Sequence, residues 1–520
     1  MSLLQNMLQH SSPYPHVYQH AFKVLNDHPN PQDVEVRLCV MPGNDQQYDL
    51  PAAEEVAISD SHPAYAPLQY VLLFPHGEAG WHYGLLQRAT EGHQGQRIED
   101  DEVGEGEDEA KELQWSSQSS WPWCITQTLY AAYRLHPRAG EFLTILNGGC
   151  LLQQYVVDMW ASADQNHLHY LHSNQNKLCA SVYSGLEDSM NCSDDNIPLD
   201  QLGQQYILPS SYIGGPQNMQ QHYQDAMALA QYYWNVDIFL TMTANPEWKE
   251  VTDELYPWQS PYDRPDLISR VFHLKKQALI DDITKKHIFG PAVAFVYMIE
   301  FQKRGLPHMH LLIFLQHDHK LLTPAAIDSA ICAKWPDPIT QLKLFQTVCN
   351  CMVHSLCGTL NQHAPCMEDH QCKKFFPKPF QAETTLSEDG YLLYRRCDDG
   401  CRYEVHGQLV DNRWIVPYNL YLSAKYDCHI NVKCAAHVHS IKYAFKYVHK
   451  GGDWATVQFH ENEIANYVDR RYVGPLEVLW RIYHYLVHKQ EPSVTRLQIH
   501  LPGQHMVLFN PEDSPETIRD

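Results

Sequence analysis

Residues 300–315 read EFQKRGLPHMHLLIFL, and the apolar run AVAFVYMI at residues 292–299 comes directly before them. Both apolar runs have the length and the composition of β-strands, and the Gly-Leu-Pro between them is typical of a turn. The pattern predicts an antiparallel hairpin whose turn is centred near Arg304.

The second strand of this hairpin carries two histidines with one residue between them. Because side chains alternate between the faces of a strand, His308 and His310 lie on the same face. With a turn near Arg304, antiparallel pairing places Glu300 opposite His308. Two neutral imidazoles and a carboxylate form a common ligand set for Mn, Mg or Zn. The alternative is that hydrogen bonds satisfy both rings and that no metal binds.

The composition and charge of the whole chain limit the classes of function. The 520 residues are 44% hydrophobic and 11% aromatic, as in a folded protein with one large core or two to three smaller ones. The net charge of −23 argues against a global positive field for nucleic acid, so any such contact must be local. An acidic run at residues 99–109 contributes to this charge, and a solvated loop is its simplest interpretation. The alternative is an electrostatic decoy over a basic groove.

The sequence also bears on the cellular compartment. The N-terminus lacks a basic flank and an apolar core, and no apolar run reaches the length of a membrane span. We therefore expect a soluble, intracellular protein without a membrane partner. Fifteen cysteines in such a chain are better interpreted as thiols and metal ligands than as disulfides.

Four potential metal ligands lie close together in a loop-rich segment: His354, Cys357, Cys366 and Cys372. One histidine and three cysteines are a ligand set of structural zinc sites, so the segment predicts a zinc knuckle. The alternative is a group of scattered buried thiols, because free cysteine behaves as a small apolar residue. Lower-ranked replacements for these ligands are Cys349, Cys351, Cys397 and Cys401.

A second chemical motif is SIKYAFKYVHKGG at residues 440–452, in which the two glycines are typical of a helix end. Tyr443 and Tyr447 are four residues apart and therefore share one face of the predicted helix. The lysines beside them form a cationic ridge: Lys442, Lys446 and Lys450. Phosphodiester cleavage needs a metal, a nucleophile and cations for the developing charge. The alternative is an amphipathic helix with half-buried tyrosines.

The order of the elements predicts an α+β fold in which helices flank an antiparallel sheet. A helix is expected from about Asn218 to Ala230, a strand at Val236–Thr243, and a basic helix at Leu267–His287 before the hairpin. No stretch matches Gly-x-x-x-x-Gly-Lys-Ser/Thr, so we expect no ATP-binding phosphate loop in this chain. The predicted divisions are an N-terminal region with the acidic loop at 1–120, a helical region at 121–230, a core with the hairpin at 231–348, a Cys/His insertion at 349–400, a second part of the core with the tyrosine helix at 401–490, and a C-terminal extension at 491–520.

Taken together, these motifs resemble the helicase-like N-terminal, or Rep, region of Helitron transposon proteins, which belong to the HUH endonuclease superfamily. The resemblance extends over most of the chain from about Tyr65 onward, and its motifs follow the order of the family. The matching segments are Tyr65 to Trp81, Gln153 to Asp158, Leu208 to Met227, Phe239 to Trp248, Asp263 to Phe272, Glu300 to Leu315, Pro365 to Lys378 and Lys425 to Asp453.

The resemblance implies an HUH/Rep-type antiparallel sheet flanked by helices, with an additional N-terminal helical region. It implies that His308 and His310 bind a divalent metal, Mg or Mn, and Glu300 matches by position the carboxylate that completes the site in related Rep proteins. It also implies that Tyr443 and Tyr447 are the two nucleophiles. We assign Lys446 to catalysis because it lies between them, and we assign DNA binding to Lys442, Lys450, Lys303 and Arg304.

The function implied is that of a metal-dependent single-stranded DNA endonuclease and strand transferase, acting through a 5′-phosphotyrosine intermediate in rolling-circle transposition. The expected partners are single-stranded DNA and a helicase acting in trans, and the expected location is the nucleus. The alternatives are a non-catalytic DNA-binding protein derived from such a transposase and a metal phosphoesterase that uses water.

Overall fold

The structure is a computed structural model, which describes residues 2–12, 14–16, 19, 23, 61–86, 124–174, 180–182, 208–301, 305–354, 357–358, 361–387, 392–435, 473–495 and 506–508. The chain forms two compact units. Unit 1 comprises Met1–Tyr170, Leu255–Asp266 and Val478–His484, and unit 2 comprises Leu171–Glu254, Leu267–Glu477 and Tyr485–Asp520.

Helices occur in both units. The α-helices are α1 (Ser2–Ser11), α2 (Tyr65–Gln69), α3 (Gln127–Arg134), α4 (Cys150–Ser173), α5 (Pro216–Tyr232), α6 (Lys249–Thr252), α7 (Pro265–Thr284), α8 (Pro324–Ala330), α9 (Leu342–Cys351), α10 (Leu420–Tyr426) and α11 (Pro475–Ile482). Short 3-10 helices lie at Ile145–Asn147, Pro261–Asp263, His317–His319 and Asn412–Trp414. Within the described ranges, no helix combines the length and the apolar character that crossing a membrane would require.

The strands belong to unit 2. They are β1 (Ala180–Val182), β2 (Ile238–Thr243), β3 (Ala292–Phe301), β4 (Pro307–Leu315), β5 (Met367–Glu368), β6 (Gln371–Cys372), β7 (Thr385–Leu386), β8 (Leu392–Leu393), β9 (Tyr403–Val405), β10 (Gln408–Val410), β11 (Ile430–Cys434), β12 (His488–Glu491) and β13 (Met506–Leu508). A five-stranded sheet has the order β11-β2-β4-β3-β12, and each neighbouring pair in it is antiparallel.

The described part of unit 1 is mainly helical. Tyr155 on α4 is fully buried, and its ring meets the edges of Tyr70 and Phe74 at centroid distances of 5.5 and 5.7 Å. The Gln127 amide of α3 donates a 2.7 Å hydrogen bond to the Ser162 hydroxyl of α4. Aromatic packing and a buried polar contact therefore hold these helices together.

Helices cover both faces of the five-stranded sheet in unit 2. On one face, Leu229 of α5 packs in one cluster with Phe239 of β2 and Leu312 of β4. On the other face, the buried Lys276 ammonium of α7 donates a 2.9 Å hydrogen bond to the Tyr297 hydroxyl of β3. The predicted α+β arrangement, an antiparallel sheet flanked by helices, is confirmed.

The elements that lead into the sheet also follow the sequence pattern. The helix predicted from about Asn218 lies within α5, the predicted strand contains β2, and the predicted basic helix corresponds to α7. β3 and β4 form the predicted hairpin, and the predicted pairing of Glu300 with His308 is confirmed. Gly305, in the turn, has a φ of 81°, a conformation that glycine adopts without steric cost.

A buried carboxylate joins α7 to α10 within unit 2. The Asp282 side chain is 0% exposed and accepts hydrogen bonds from the Lys286 ammonium at 2.8 Å, the Lys425 ammonium at 2.6 Å and the Tyr426 hydroxyl at 2.7 Å. Burial raises the pKa of Asp282, but these three donors outweigh it and the pKa lies below its usual value. The ionised form is therefore the form that stabilises the fold.

We expect Asp282→Ala to lower the free energy of unfolding by about 3 kcal/mol at pH 7, because it leaves two cations without their shared partner. The pKa of an aspartate in the unfolded chain is about 4. Because the pKa of Asp282 is lower in the folded protein, its carboxylate stabilises the fold fully above the unfolded pKa, and this stabilisation is lost as the pH falls through the folded pKa. Urea unfolding at pH 7 and in acid measures both effects.

The matched control is Asp281→Ala, because Asp281 is 51% exposed and pairs at the surface with Lys285. If Asp281→Ala and Asp282→Ala lower the free energy of unfolding equally, the buried Asp282 carboxylate does not have this stabilising role.

Candidate functional site

One face of the five-stranded sheet carries polar residues at the same level on four neighbouring strands. The Thr243 amide of β2 donates to the carbonyl of His429, the residue before β11, at 3.0 Å. Thr243 pairs with His308 of β4, and His308 pairs with Glu300 of β3. Because paired residues point to the same face of a sheet, these four side chains form one polar row.

His310 lies two residues further along β4 on the same face. Its Nε2 is 2.9 Å from Glu300 Oε2, and the His308 and His310 rings meet edge to face with centroids 4.6 Å apart. The carboxylate thus contacts the imidazole diagonal to it, although its directly paired residue is His308. Of the three predicted metal ligands, the structure thus joins His310 to Glu300 and places the His308 ring beside that of His310, which is 4% exposed.

Hydrogen bonds at Nδ1 orient two of the histidines. His308 Nδ1 lies 2.7 Å from Thr243 Oγ1, and His429 Nδ1 lies 2.7 Å from the Cys351 carbonyl oxygen. A carbonyl can only accept, so His429 carries its proton on Nδ1 and keeps a lone pair on Nε2. A hydrogen bond to one ring nitrogen that leaves the other available is the usual arrangement around metal-binding histidines.

The electrostatic environment keeps these rings neutral. Burial lowers the pKa of His308 to about 3, with further contributions from the neighbouring His310 and His429, and the Glu300 carboxylate only partly opposes them. Burial also lowers the pKa of His429, and Lys433 adds to the effect. Neutral imidazole is the form that binds metals, so both rings are ready to act as ligands at neutral pH.

His429 and Thr243 were missed in the sequence analysis. Residues 429–434 read HINVKC, and strand alternation places His429, Asn431 and Lys433 on one face. That signal could have indicated a polar face on this strand. It could not have indicated which strand lies beside it, because the pairing of β11 with β2 joins segments far apart in sequence.

Several predicted residues cannot be placed in this site. Those that lie outside the described residues are Tyr443, Tyr447, Lys446, Lys442, Lys450, Lys303 and Arg304. Their assigned roles in nucleophilic attack and DNA binding stay predictions.

The structure also assembles the four ligands predicted for the zinc knuckle. One ligand atom from each of His354, Cys357, Cys366 and Cys372 lies within 4.8 Å of all the others. Met367 and Cys372 pair in the β5–β6 hairpin, which brings Cys366 close to Cys372. The cluster contains none of the lower-ranked candidates: Cys349, Cys351, Cys397 and Cys401. A Cys/His set of this kind is compatible with a metal ion such as zinc.

The thiols of this cluster have unequal acidity. Burial and the neighbouring thiols of Cys372 and Cys366 raise the pKa of Cys357 to about 12. Burial also raises the pKa of Cys372, but backbone amides of Phe376 and Lys374 donate to its sulfur and bring the pKa below its usual value. Cys357 and Cys366 therefore resist ionisation, whereas Cys372 ionises more readily. A bound cation would relieve the repulsion between the thiolates.

His354 completes the cluster in a neutral state. Burial, with smaller contributions from the positive charges of Lys378 and Lys374, lowers its pKa to about 4. Its Nε2 is 3.5 Å from the Cys372 sulfur, and its ring stacks on Phe376 at a centroid distance of 4.1 Å. The imidazole is therefore held in position by packing and is in its metal-binding form.

Part of the chain matches a known protein family. Residues 130–313 match the family model described as the Helitron helicase-like domain at the N-terminus. This stretch contains α5, β2, α7 and β3, together with His308 and His310 of β4. A search of curated proteins found no match. Residues 130–313 of the chain are therefore similar to the helicase-like N-terminal domain of Helitron proteins.

Proposed function

We propose that the protein is a metal-dependent endonuclease and strand transferase for single-stranded DNA, and that its sheet is of the HUH/Rep type. The observation that carries this proposal is the meeting of the Glu300 carboxylate with His310, beside His308, on one buried sheet face. Two imidazoles and a carboxylate suit a divalent ion such as Mn or Mg. The Helitron domain supports DNA as the substrate.

His308, His310 and Glu300 would hold the metal, and His429 lies in the same row of the sheet. When bound, a divalent ion supplies positive charge that polarises the scissile phosphate. The donors fit this role because His308 and His429 each use Nδ1 for a hydrogen bond and keep Nε2 for a ligand.

The nucleophile in this proposal is Tyr443 or Tyr447. The tyrosine oxygen forms a bond to phosphorus, and the bond from phosphorus to the 3′ oxygen breaks. The phenol loses a proton, the departing oxygen gains one, and the products are a 5′-phosphotyrosine and a free 3′ hydroxyl. The pKa of a tyrosine hydroxyl is about 10, so a cation such as Lys446 is needed to favour its ionised form. The second tyrosine would cleave the incoming strand and complete the transfer.

We also propose that the Cys/His cluster holds a structural zinc ion. Its support is the convergence of one neutral imidazole and three thiols within 4.8 Å. In the cell, the protein would act in the nucleus during rolling-circle transposition. A helicase acting in trans would open the duplex.

The test is a cleavage assay with Mn and an oligonucleotide labelled at both ends. We expect one fragment with a free 3′ hydroxyl and a second fragment whose 5′ end stays on the protein. Release of a free 5′ phosphate would favour a phosphoesterase that uses water. Binding without cleavage, in Mn and in Mg, would favour a non-catalytic DNA-binding protein.

A further inference from the structure

An exposed phenylalanine follows the last ligand of the Cys/His cluster. The Phe375 side chain is 75% exposed, and its backbone φ is 56°. A bulky residue rarely adopts a positive φ, because the side chain then crowds its own backbone. Because the Phe375 side chain is exposed, its burial contributes little free energy to offset this backbone strain. Residues with strained backbone angles are concentrated at binding sites.

Cations and aromatic rings alternate around this position, in KKFFPKPF at residues 373–380. The Lys378 ammonium lies over the rings of Phe375 and Phe376, at 5.6 and 5.3 Å from their centroids. The Arg413 guanidinium lies over the Phe380 ring at 4.8 Å. In a protein of net charge −23, this is a local basic and aromatic surface.

The Cys/His cluster and its core fix this segment in place. The Phe375 amide donates to the Cys372 carbonyl at 2.7 Å, and the Lys378 amide donates to the Arg413 carbonyl at 3.0 Å. Phe376 stacks on the His354 ring at 4.1 Å. The rings are therefore presented on a preorganised backbone, which lowers the entropy lost on binding.

Another cation, Lys433, lies on the sheet face that carries the histidines. Lys433 of β11 pairs with Phe239 of β2, whose ring stacks on His310 at a centroid distance of 5.8 Å. Burial, with smaller contributions from the positive charges of Lys374 and Lys378, lowers the pKa of Lys433 to about 8. Strand geometry places Lys433 about 7 Å along the sheet from the row of His310 and about 10 Å across it.

We infer that residues 373–380 together with Lys433, here called the Phe375 platform, bind single-stranded DNA and direct it onto the sheet face that carries His308 and His310. An exposed ring can stack on a base, and cations can pair with the phosphates on either side of it. In a duplex the bases are already stacked and their faces are covered. This inference rests on the proposed function and names the surface that holds its substrate.

The test measures the affinity of the full chain for a labelled oligothymidylate, with no added Mg, Mn or chelator. Phe375→Gly removes the ring, and glycine adopts the positive φ without strain, so the fold should be kept. We expect affinity to fall about tenfold, since one stacked base contributes roughly 1–3 kcal/mol. Phe375→Trp should bind like the wild type. Phe142→Gly is the matched control, because Phe142 is an exposed phenylalanine elsewhere, at 70%.

A second variant tests the charge separately. Lys378→Met keeps the aliphatic stem, and we expect it to reduce the salt dependence of binding by about 0.7 in the logarithmic slope. Lys249→Met, at an 85% exposed lysine, should leave the slope unchanged. If Phe375→Gly loses zinc, its lower affinity could come from a disturbed Cys/His cluster. In that case the salt dependence measured for Lys378→Met decides whether the platform binds DNA.

Unchanged affinity of Phe375→Gly and an unchanged slope of Lys378→Met would overturn the platform. Equal affinity for duplex DNA, or tighter binding of oligouridylate, would overturn its assignment to single-stranded DNA. These results are separable from the proposed function. Loss of affinity in Phe375→Gly, with no covalent adduct in the wild type, would support the platform and contradict the endonuclease. Normal affinity in both variants, with an adduct in the wild type, would contradict the platform alone.

Discussion

Replacing His308 and His310 together with alanine is expected to abolish Mn-dependent cleavage and to weaken Mn binding by at least about 100-fold. Removing a partner that only orients a ligand already costs about 10–100-fold in metal affinity, so removing two ligands should cost no less. Isothermal calorimetry with Mn measures the affinity, and an oligonucleotide assay measures the cleavage. Glu300→Gln should have a smaller effect on affinity, because it removes the charge and keeps an oxygen ligand.

The control for this prediction is His317→Ala, which removes a histidine just after β4 whose side chain is 90% exposed. It should leave Mn affinity and cleavage unchanged. Because His310 is buried, the double variant should be compared with the wild type by circular dichroism and zinc content. If a folded double variant binds Mn as tightly as the wild type does, the hairpin is not the metal site.

The second large effect is expected at the Cys/His cluster. Elemental analysis should find about one zinc per chain, and Cys372→Ser should lose it and destabilise unit 2 strongly, since a structural zinc contributes directly to folding. The reason for a strong effect is the surrounding core: Cys357 and Cys372 are buried in one cluster with Val348, Met352 and Tyr418. Thermal unfolding followed with and without a chelator measures the loss.

Cys401→Ser is the matched control for the zinc prediction, because Cys401 is an exposed thiol in the same part of the sequence. It should keep both zinc and stability. A preparation of the wild type that contains no metal and is well folded would contradict a structural zinc.

Local sequence patterns were sufficient for the hairpin. Along a β-strand, side chains alternate between the two faces with a period of two residues. Once the turn is located, this alternation and antiparallel pairing determine which residues lie opposite each other, so the pairing of Glu300 with His308 could be derived. The contact of Glu300 with His310 could not be derived, because a long side chain reaches diagonal neighbours as well as direct ones. The choice of His354, Cys357, Cys366 and Cys372 likewise followed from ligand chemistry within a short segment.

Long-range pairing was beyond the sequence pattern. The positions of Thr243 and His429 in the site depend on β2 lying between β4 and β11, and these three strands are far apart in the sequence. The orientation of Phe375 depends on a positive φ that no propensity would assign to phenylalanine. The division into six regions and the roles assigned to residues outside the described ranges stay predictions.

Trapping the covalent intermediate tests the central claim most directly. The wild type is incubated with Mn and a single-stranded oligonucleotide labelled downstream of the cut, and the mixture is denatured before electrophoresis. We predict a labelled protein band in the wild type, loss of initial cleavage in Tyr443→Phe or Tyr447→Phe, and no band in the double variant, while all of them still bind metal and DNA. A band that persists in the double variant would contradict the assigned nucleophiles and indicate Tyr421, which is 45% exposed, rather than Tyr426, whose buried hydroxyl is bonded to Asp282. Cleavage by the wild type without any protein-linked band would contradict the phosphotyrosine mechanism itself.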